Sequence, residues 1–222
     1  MSTTDPSTLY LKQFEIGPME NFVYLVGDKN TREVLVVDPA WQVDTILKAA
    51  KENDLAIKGA LISHYHFDHT NGIEELLESV DCPVYVNKND VPYLDVQSTN
   101  IKPVDDGATV KAGNIEIRMV HTPGHTPGSQ CFHVRNGLIS GDTLFIGACG
   151  RCDLPGGDAK EMYTSLTQRL MKFDDSTVLY PGHNYSDKPT STMGREKKSN
   201  PYLMCASLEN FLKFRTGVSE IR

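Results

Sequence analysis

Strand-forming runs fall into two separated blocks in this chain, and helical periodicity follows each block. In the first block, Phe22-Val23-Tyr24-Leu25-Val26 stops at Gly27-Asp28, and Glu33-Val34-Leu35-Val36-Val37 stops at Asp38-Pro39. The connector Asp28-Lys29-Asn30-Thr31 is rich in turn formers, so the pair reads as a hairpin. Val43, Ile46, Leu47 and Ala50 then recur at the spacing of one helix face. Ile57 to Ser63 is a short apolar strand. Ile73, Leu76, Leu77 and Val80 repeat the helical spacing until Cys82-Pro83 ends it, and Val84-Tyr85-Val86 is a further strand.

The second block opens with Ile115, Ile117 and Met119 alternating with Glu116 and Arg118, the period of a half-buried strand. Cys131 to Val134 and Leu138 to Ser140 flank Asn136-Gly137, a hairpin signal. Met162, Leu166, Leu170 and Phe173 suit a helix, and Thr177 to Tyr180 is a last strand before Pro181-Gly182. Two strand blocks, each followed by helix, predict two sheets packed face to face with helices on the outer faces. The length of 222 residues suits a single domain over 1–222, with 186–222 as a C-terminal arm and short helix. Within that arm the polar stretch from Tyr185 to Pro201 reads as a long surface loop.

Composition removes several function classes. The net charge of -7 lacks the basic footprint of a nucleic-acid binder and the cationic face of a membrane-surface protein. No apolar run approaches the ~20 residues of a membrane span. The start, MSTTDPSTLY, has neither the cationic segment nor the apolar core of a secretory signal. Five scattered cysteines, an odd number, argue against a disulfide framework and for a reducing, cytoplasmic setting. The expected partner is therefore a small-molecule substrate.

The chemistry is concentrated in histidines. His64-Tyr65-His66-Phe67-Asp68-His69 places four ligand-type side chains within six residues, directly after a strand. His64 and His66, two apart, point to one side of an extended chain. The turn into the following helix aims Asp68 and His69 in another direction. Such a cluster supplies two ligand pairs, as a two-metal site of ~3.5–4 Å separation requires. Imidazole and carboxylate donors suit zinc, iron or manganese. The missing ligands have three candidates, each beside a glycine after a strand end: His125 in Gly124-His125, Asp142 in Gly141-Asp142 and His183 in Gly182-His183. His121 reads as a supporting or structural group, and His133, inside a strand, as structural. Cys149-Gly150-Arg151-Cys152 is formally a C-x-x-C, but it lies in a glycine-rich loop with no second pair, so it reads as chance spacing. Tyr10, Trp41, Phe145 and Met162 read as packing residues.

The string HYHFDH, followed by Gly124-His125, Gly141-Asp142 and Gly182-His183, resembles the metallo-β-lactamase-fold superfamily, closest to its glyoxalase II and persulfide dioxygenase branches. The resemblance covers almost the whole chain. It implies an αββα sandwich of two mixed sheets with a metal site on one edge. His64, His66 and His125 resemble the ligands of a first metal, and Asp68, His69 and His183 those of a second. Asp142 resembles the bridging carboxylate. Two divalent ions are implied, zinc first, with iron or manganese as alternatives.

Arg151 and Tyr185 match positions that approach the thiol substrate in that family. Two departures stand out: the basic helical region after Leu203 is missing, and so is an aromatic near Asp153. The favoured activity is hydrolysis of a small acyl thioester by activated water, with Asp68 binding metal and orienting that water. An iron-dependent persulfide dioxygenase using His64, His125 and Asp142 is the alternative, and a non-catalytic metal-binding module a third. Ser129 leans toward the hydrolase, because the similar position in persulfide dioxygenases is typically cysteine.

Overall fold

The computed structural model describes residues 8–216. The stretch 1–7 and the last part of the expected arm, 217–222, lie outside the described residues, and with them most of the segment searched for a secretory signal. Six strands form the first sheet in chain order: β1 (Leu9–Ile16), β2 (Asn21–Asp28), β3 (Glu33–Val37), β4 (Ala56–Ile62), β5 (Val84–Asn87) and β6 (Ile101–Val104). β1, β2 and β3 run antiparallel, whereas β3 through β6 are parallel. The parallel connections need crossovers, and α1 (Val43–Glu52) and α3 (Ile73–Ser79) supply two of them.

The second sheet holds β7 (Thr109–Ala112), β8 (Ile115–His121), β9 (Gln130–Val134) and β10 (Gly137–Gly141), then β13 (Val178–Pro181) and β14 (Ser191–Thr192). All its pairs are antiparallel except β10 with β13. A small two-stranded ribbon, β11 (Leu144–Phe145) and β12 (Ala148–Cys149), follows β10.

Three apolar layers hold this together. Tyr24, Val26, Leu35 and Leu61 of the first sheet meet Ile115, Ile117, Phe132 and Ile139 of the second. On the outer face of the first sheet, Val23, Leu25 and Val36 pack on Ile46 and Leu76 of its helices. On the outer face of the second, Cys131, Leu138 and Leu179 pack on Met162, Leu166 and Leu170. Every residue of β2 is buried, because the strand has a layer against each face. The chain is thus an αββα sandwich of two mixed sheets, as the family resemblance implies, with the two facing sheets and outer helices that the strand and helix blocks predict.

The Met162–Phe173 helix is broken into three kinds of turn. Asp158 caps α4 (Ala159–Thr164) through bonds from the N–H groups of Lys160 and Glu161. A π-helical stretch, Ser165–Arg169, and a 3₁₀ turn, Leu170–Lys172, continue it. α6 (Leu208–Thr216) closes the same face, with Phe211 fully buried.

Several local expectations need correction. The β9–β10 loop residues are Arg135 and Asn136, since Gly137 already pairs with Val134. Arg135 takes the left-handed turn conformation at φ 53, and the Tyr180 ring packs close over Gly137, 3.2 Å from where a Cβ would lie. The polar stretch read as a loop contains β14 and the helix α5 (Met193–Ser199). Its acidic residue Glu196 is buried because Ser191 Oγ, Gly147 N and Asn200 Nδ2 all donate to its carboxylate. Among the described residues no helix is long and apolar enough to cross a membrane.

Candidate metal centre

Four strand ends, one from the first sheet and three from the second, converge at one edge of the sandwich. β4 delivers His64, β10 delivers Asp142 and β13 delivers His183, while the loop after β8 carries His125. A single helical turn, α2 (Phe67–Thr70), starts immediately after His66 and holds Asp68 and His69. The sequence predicts a helix only from about Asn71; this earlier turn is what separates the direction of Asp68 and His69 from that of His64 and His66.

Ligating atoms of His64, His66 and His125 lie within 4.8 Å of one another. The same holds for His64, His69 and Asp142, and for Asp68, His69 and His183. His69 Nε2 is 3.1 Å from His183 Nε2 and 3.4 Å from both Asp68 Oδ2 and Asp142 Oδ1. Asp142 Oδ2 lies 3.6 Å from His125 Nε2 and 3.4 Å from His183 Nε2, so this carboxylate faces both groups. All seven residues of the predicted set therefore occupy one small volume. Gly182 makes this approach feasible: a Cβ there would sit 2.3 Å from Asp142 Oδ1.

Four of the five imidazoles are oriented from behind. His125 Nδ1 donates to Arg151 O at 2.7 Å, His183 Nδ1 to Met19 O at 2.8 Å and His69 Nδ1 to Asp38 Oδ2 at 3.0 Å. His64 Nδ1 pairs with Ser63 Oγ at 3.0 Å. These bonds fix the tautomers and turn the Nε2 atoms inward, the arrangement that metal-binding histidines require.

Whether the residues fit a metal is decided by the atoms left over. His64 Nε2, His125 Nε2 and Asp142 Oδ1 are buried and have no hydrogen-bond partner among the described residues. A buried acceptor left unsatisfied costs ~1–3 kcal/mol, so three converging on one volume fit a bound cation. The donor set of imidazoles and carboxylates matches divalent transition metals.

The electrostatics divides the cluster. Burial, reinforced by neighbouring histidines, holds His64 well below its ordinary value. Burial also outweighs nearby carboxylates at His125, and brings His66 down to about 4. At His183 burial is overridden by Asp142 and Asp68, and the group is pushed up to about 10. His69 is raised for the same reason, by Asp142 and Asp38. Burial alone would raise both carboxylates, but the histidines hold Asp142 at about 2 and Asp68 lower still. Asp68 is thus held ionised at neutral pH, the state in which a carboxylate can bind a cation.

The other predicted residues divide as follows. Tyr185 stacks on the His183 ring with centroids 4.7 Å apart, and its hydroxyl is pushed up to about 12, chiefly by burial and then by Asp142 and Asp68. Arg151 is exposed and its guanidinium holds both oxygens of Asp153. Its main-chain carbonyl, rather than its side chain, touches the cluster, through His125. His121 bonds to Pro127 O and lies outside the ligand groups, and His133 packs against Phe173. Ser129 is buried, bonded to Thr126 N and Oγ1 within its own loop, so its identity bears on loop structure rather than on the reaction.

Three residues that matter carry no motif. Asp38, noted in the sequence only as a strand stop, accepts from Ser63 N and Oγ at 2.6 Å each and from His69. Asn21 donates to Asp68 Oδ2 and is itself held by Trp41 Nε1. Asp90, fully buried, accepts from Tyr65 N, Thr126 Oγ1 and Gly128 N, and so ties the HYHFDH turn to the loop of His125. Only the acidic side chain directly after an apolar strand, as at Asp38, gave any local signal.

The metallo-beta-lactamase superfamily model matches residues 16–183, a span that includes every one of the seven clustered side chains. The chain belongs to this superfamily. A probable polyketide biosynthesis zinc-dependent hydrolase of Bacillus velezensis is 31% identical over 195 residues, covering 88% of this chain and 87% of that protein. Among solved structures, ETHE1 from Myxococcus xanthus aligns with a TM-score of 0.86 at 30% identity, over 93% of this chain and 90% of that one. The protein TTHA1623, solved in a di-iron-bound form, aligns with a TM-score of 0.75 at 30% identity, over 86% of this chain and 100% of that one. Zinc and iron are thus both named among relatives of this metallo-hydrolase fold.

Proposed function

We propose that this protein hydrolyses a small acyl thioester at a dinuclear metal centre. The observation that carries the reading is the complete second ligand group. Asp68, His69 and His183 are each held by a partner behind them: Asn21, Asp38 and the Met19 carbonyl respectively. A centre using one ion would need only His64, His66, His125 and Asp142. Two divalent ions held by these groups would supply Lewis acidity and make water acidic enough to react at neutral pH.

The protein's own residues do the rest. Asp142, facing both groups, sets their spacing. Asp68, kept ionised, accepts a hydrogen bond from the attacking water and aims it. Tyr185, kept protonated, is a hydrogen-bond donor for the departing thiol half of the substrate. The zinc-dependent hydrolase named among the relatives supports the hydrolytic reading.

Iron-dependent persulfide oxidation is a second reading, supported by one observation: His64, His125 and Asp142 make a set of two histidines and one carboxylate, the ligand type of non-haem iron oxygenases. The deciding experiment measures metal content as purified, thioester cleavage on zinc- or manganese-loaded protein, and oxygen uptake with glutathione persulfide on iron-loaded protein. Thioester turnover with about two ions per chain is the expected result. Rapid oxygen consumption with negligible thioester cleavage would overturn the hydrolase reading, and inactivity in both assays with metal bound would favour a non-catalytic module.

A further inference from the structure

We propose that the outer face of the second sheet carries a binding site for a phosphate monoester with an apolar body, separate from the metal centre. The site is an open cleft of about 590 Å³, within the ~300–1,000 Å³ usual for small-molecule sites. Arg118 of β8 stands on one side; Arg169 and Lys172, at the end of the broken helix, stand on the other. Three cations around one cleft are unexpected in a chain of net charge -7.

Their partners are also informative. Arg169 is held by Asp106 at 2.7 Å, whereas neither Arg118 nor Lys172 makes an ion pair with a described residue. The amide of Gln168, also on the wall, adds an uncommitted donor. Two free cations and an amide match the charge of a phosphate monoester, about -1.5 to -2 at neutral pH, and a guanidinium can grip two of its oxygens at once. Val120 and the Phe173 ring give the cleft an apolar side, which inorganic phosphate would leave uncovered.

The wall itself is unusual. Gln168 and Arg169 belong to the π-helical stretch Ser165–Arg169, a geometry that is rare and recurs at functional sites. The cleft is tied to the loop of His125 as well: Asp106, which holds Arg169, also accepts from His121 N, and His121 Nε2 bonds to Pro127 O.

The test is calorimetric titration of the metal-loaded protein with phenyl phosphate, inorganic phosphate and benzyl alcohol. Phenyl phosphate should bind saturably and about tenfold more tightly than either of the other two. Arg118→Gln and Lys172→Gln, both exposed and expected to leave the melting temperature unchanged, should each weaken it at least about tenfold, the usual loss for a charged hydrogen bond. Asp142→Asn, in the metal centre, should leave the affinity for phenyl phosphate intact. Three results would overturn the proposal: no saturable binding, binding insensitive to the two cleft variants, or binding lost in Asp142→Asn, which would place the probe on the metals.

Discussion

Asp90→Asn tests whether ligand geometry depends on a residue that touches no metal. Asp90 has no exposed surface, and its two oxygens serve three donors: Tyr65 N at 3.0 Å and Thr126 Oγ1 at 2.7 Å on Oδ2, and Gly128 N at 2.5 Å on Oδ1. Tyr65 lies between His64 and His66, and Thr126 follows His125. One carboxylate thus spans both segments of the first ligand group. An asparagine has a single oxygen. With that oxygen at the Oδ2 position, the Tyr65 and Thr126 bonds survive without charge assistance, and the amide N–H₂ is forced against the Gly128 N–H. Gly128 packs tightly on this carboxylate, since a Cβ added there would lie 2.5 Å from Asp90 Cγ.

An unsatisfied buried donor costs ~1–3 kcal/mol, and two weakened bonds add ~1 kcal/mol or more. Burial holds the Asp90 carboxyl above its ordinary value despite its donors, so removing the charge returns part of this. A net loss of ~2–3 kcal/mol is expected, measured as a shifted denaturant midpoint of the chelated protein. Competition with a chromophoric chelator should show affinity falling ~10–100-fold, as for other groups supporting metal ligands, and falling more for the ion on His64, His66 and His125 than for the other. Unchanged metal affinity in a destabilised Asp90→Asn protein would refute the positioning role and leave Asp90 as a fold residue. Unchanged stability would refute the three-bond reading itself.

Asp142→Ala should abolish turnover and lose bound metal, whereas His121→Ala, whose ring bonds only to Pro127 O, should cost about tenfold or less in turnover; equal loss of metal in both would show that His121 is a ligand. Gly182→Ala should lower turnover on the order of 100-fold through a displaced Asp142, because misplacements near 1 Å carry that cost; normal kinetics would mean the Gly182 approach is loose. Asp28 is lowered, first by the backbone N–H of Asn114, so its contribution to stability is present above its unfolded value near ~4 and is lost as pH falls through the lower folded value. Asp28→Asn should therefore be destabilised relative to the parent at pH 6, with the gap narrowing toward pH 2 in denaturant titrations; a gap constant over that range would contradict the shift.

The sandwich and the seven clustered residues are legible because their signals are local. Four ligand-type residues in six positions, and glycines beside His125, Asp142 and His183, stand out without knowledge of the fold. The buried strands β2 and β3 are continuous apolar runs, and α1 and α3 carry clean helical spacing. Edge elements are the ones missed. β6 contains Pro103, which only an edge strand tolerates, and β1 has no fully buried face until Ile16. α5 is hidden by its polarity, although Thr192 caps it by accepting from Arg195 N. Asp38, Asn21 and Asp90 are illegible for another reason. Their partners lie 20 to 47 residues away in sequence, and a lone polar residue at a strand end looks like any turn former.

What makes one edge of the sandwich a metal centre is the way its sheets are joined there. Apolar packing sets the distance between two sheets, yet it tolerates small sliding, whereas metal ligands must be placed to within ~0.2 Å. At this edge the main chains themselves are bonded across the gap. Phe22 N of the first sheet donates to Gly182 O of the second at 2.7 Å, and Gln130 N of the second donates to Ser63 O of the first at 2.9 Å. Gln130 Nε2 adds a bond to Ile62 O at 2.8 Å. Within the second sheet Gly182 N donates to Gly141 O at 2.9 Å. Each of these bonds sits within one or two residues of a ligand: Ser63 beside His64, Gly182 beside His183, Gly141 beside Asp142. Directional bonds at those points convert a sliding interface into a fixed one. The ligands can then be held at the right spacing before any ion arrives, and the unpartnered His64 Nε2, His125 Nε2 and Asp142 Oδ1 are kept from collapsing onto one another.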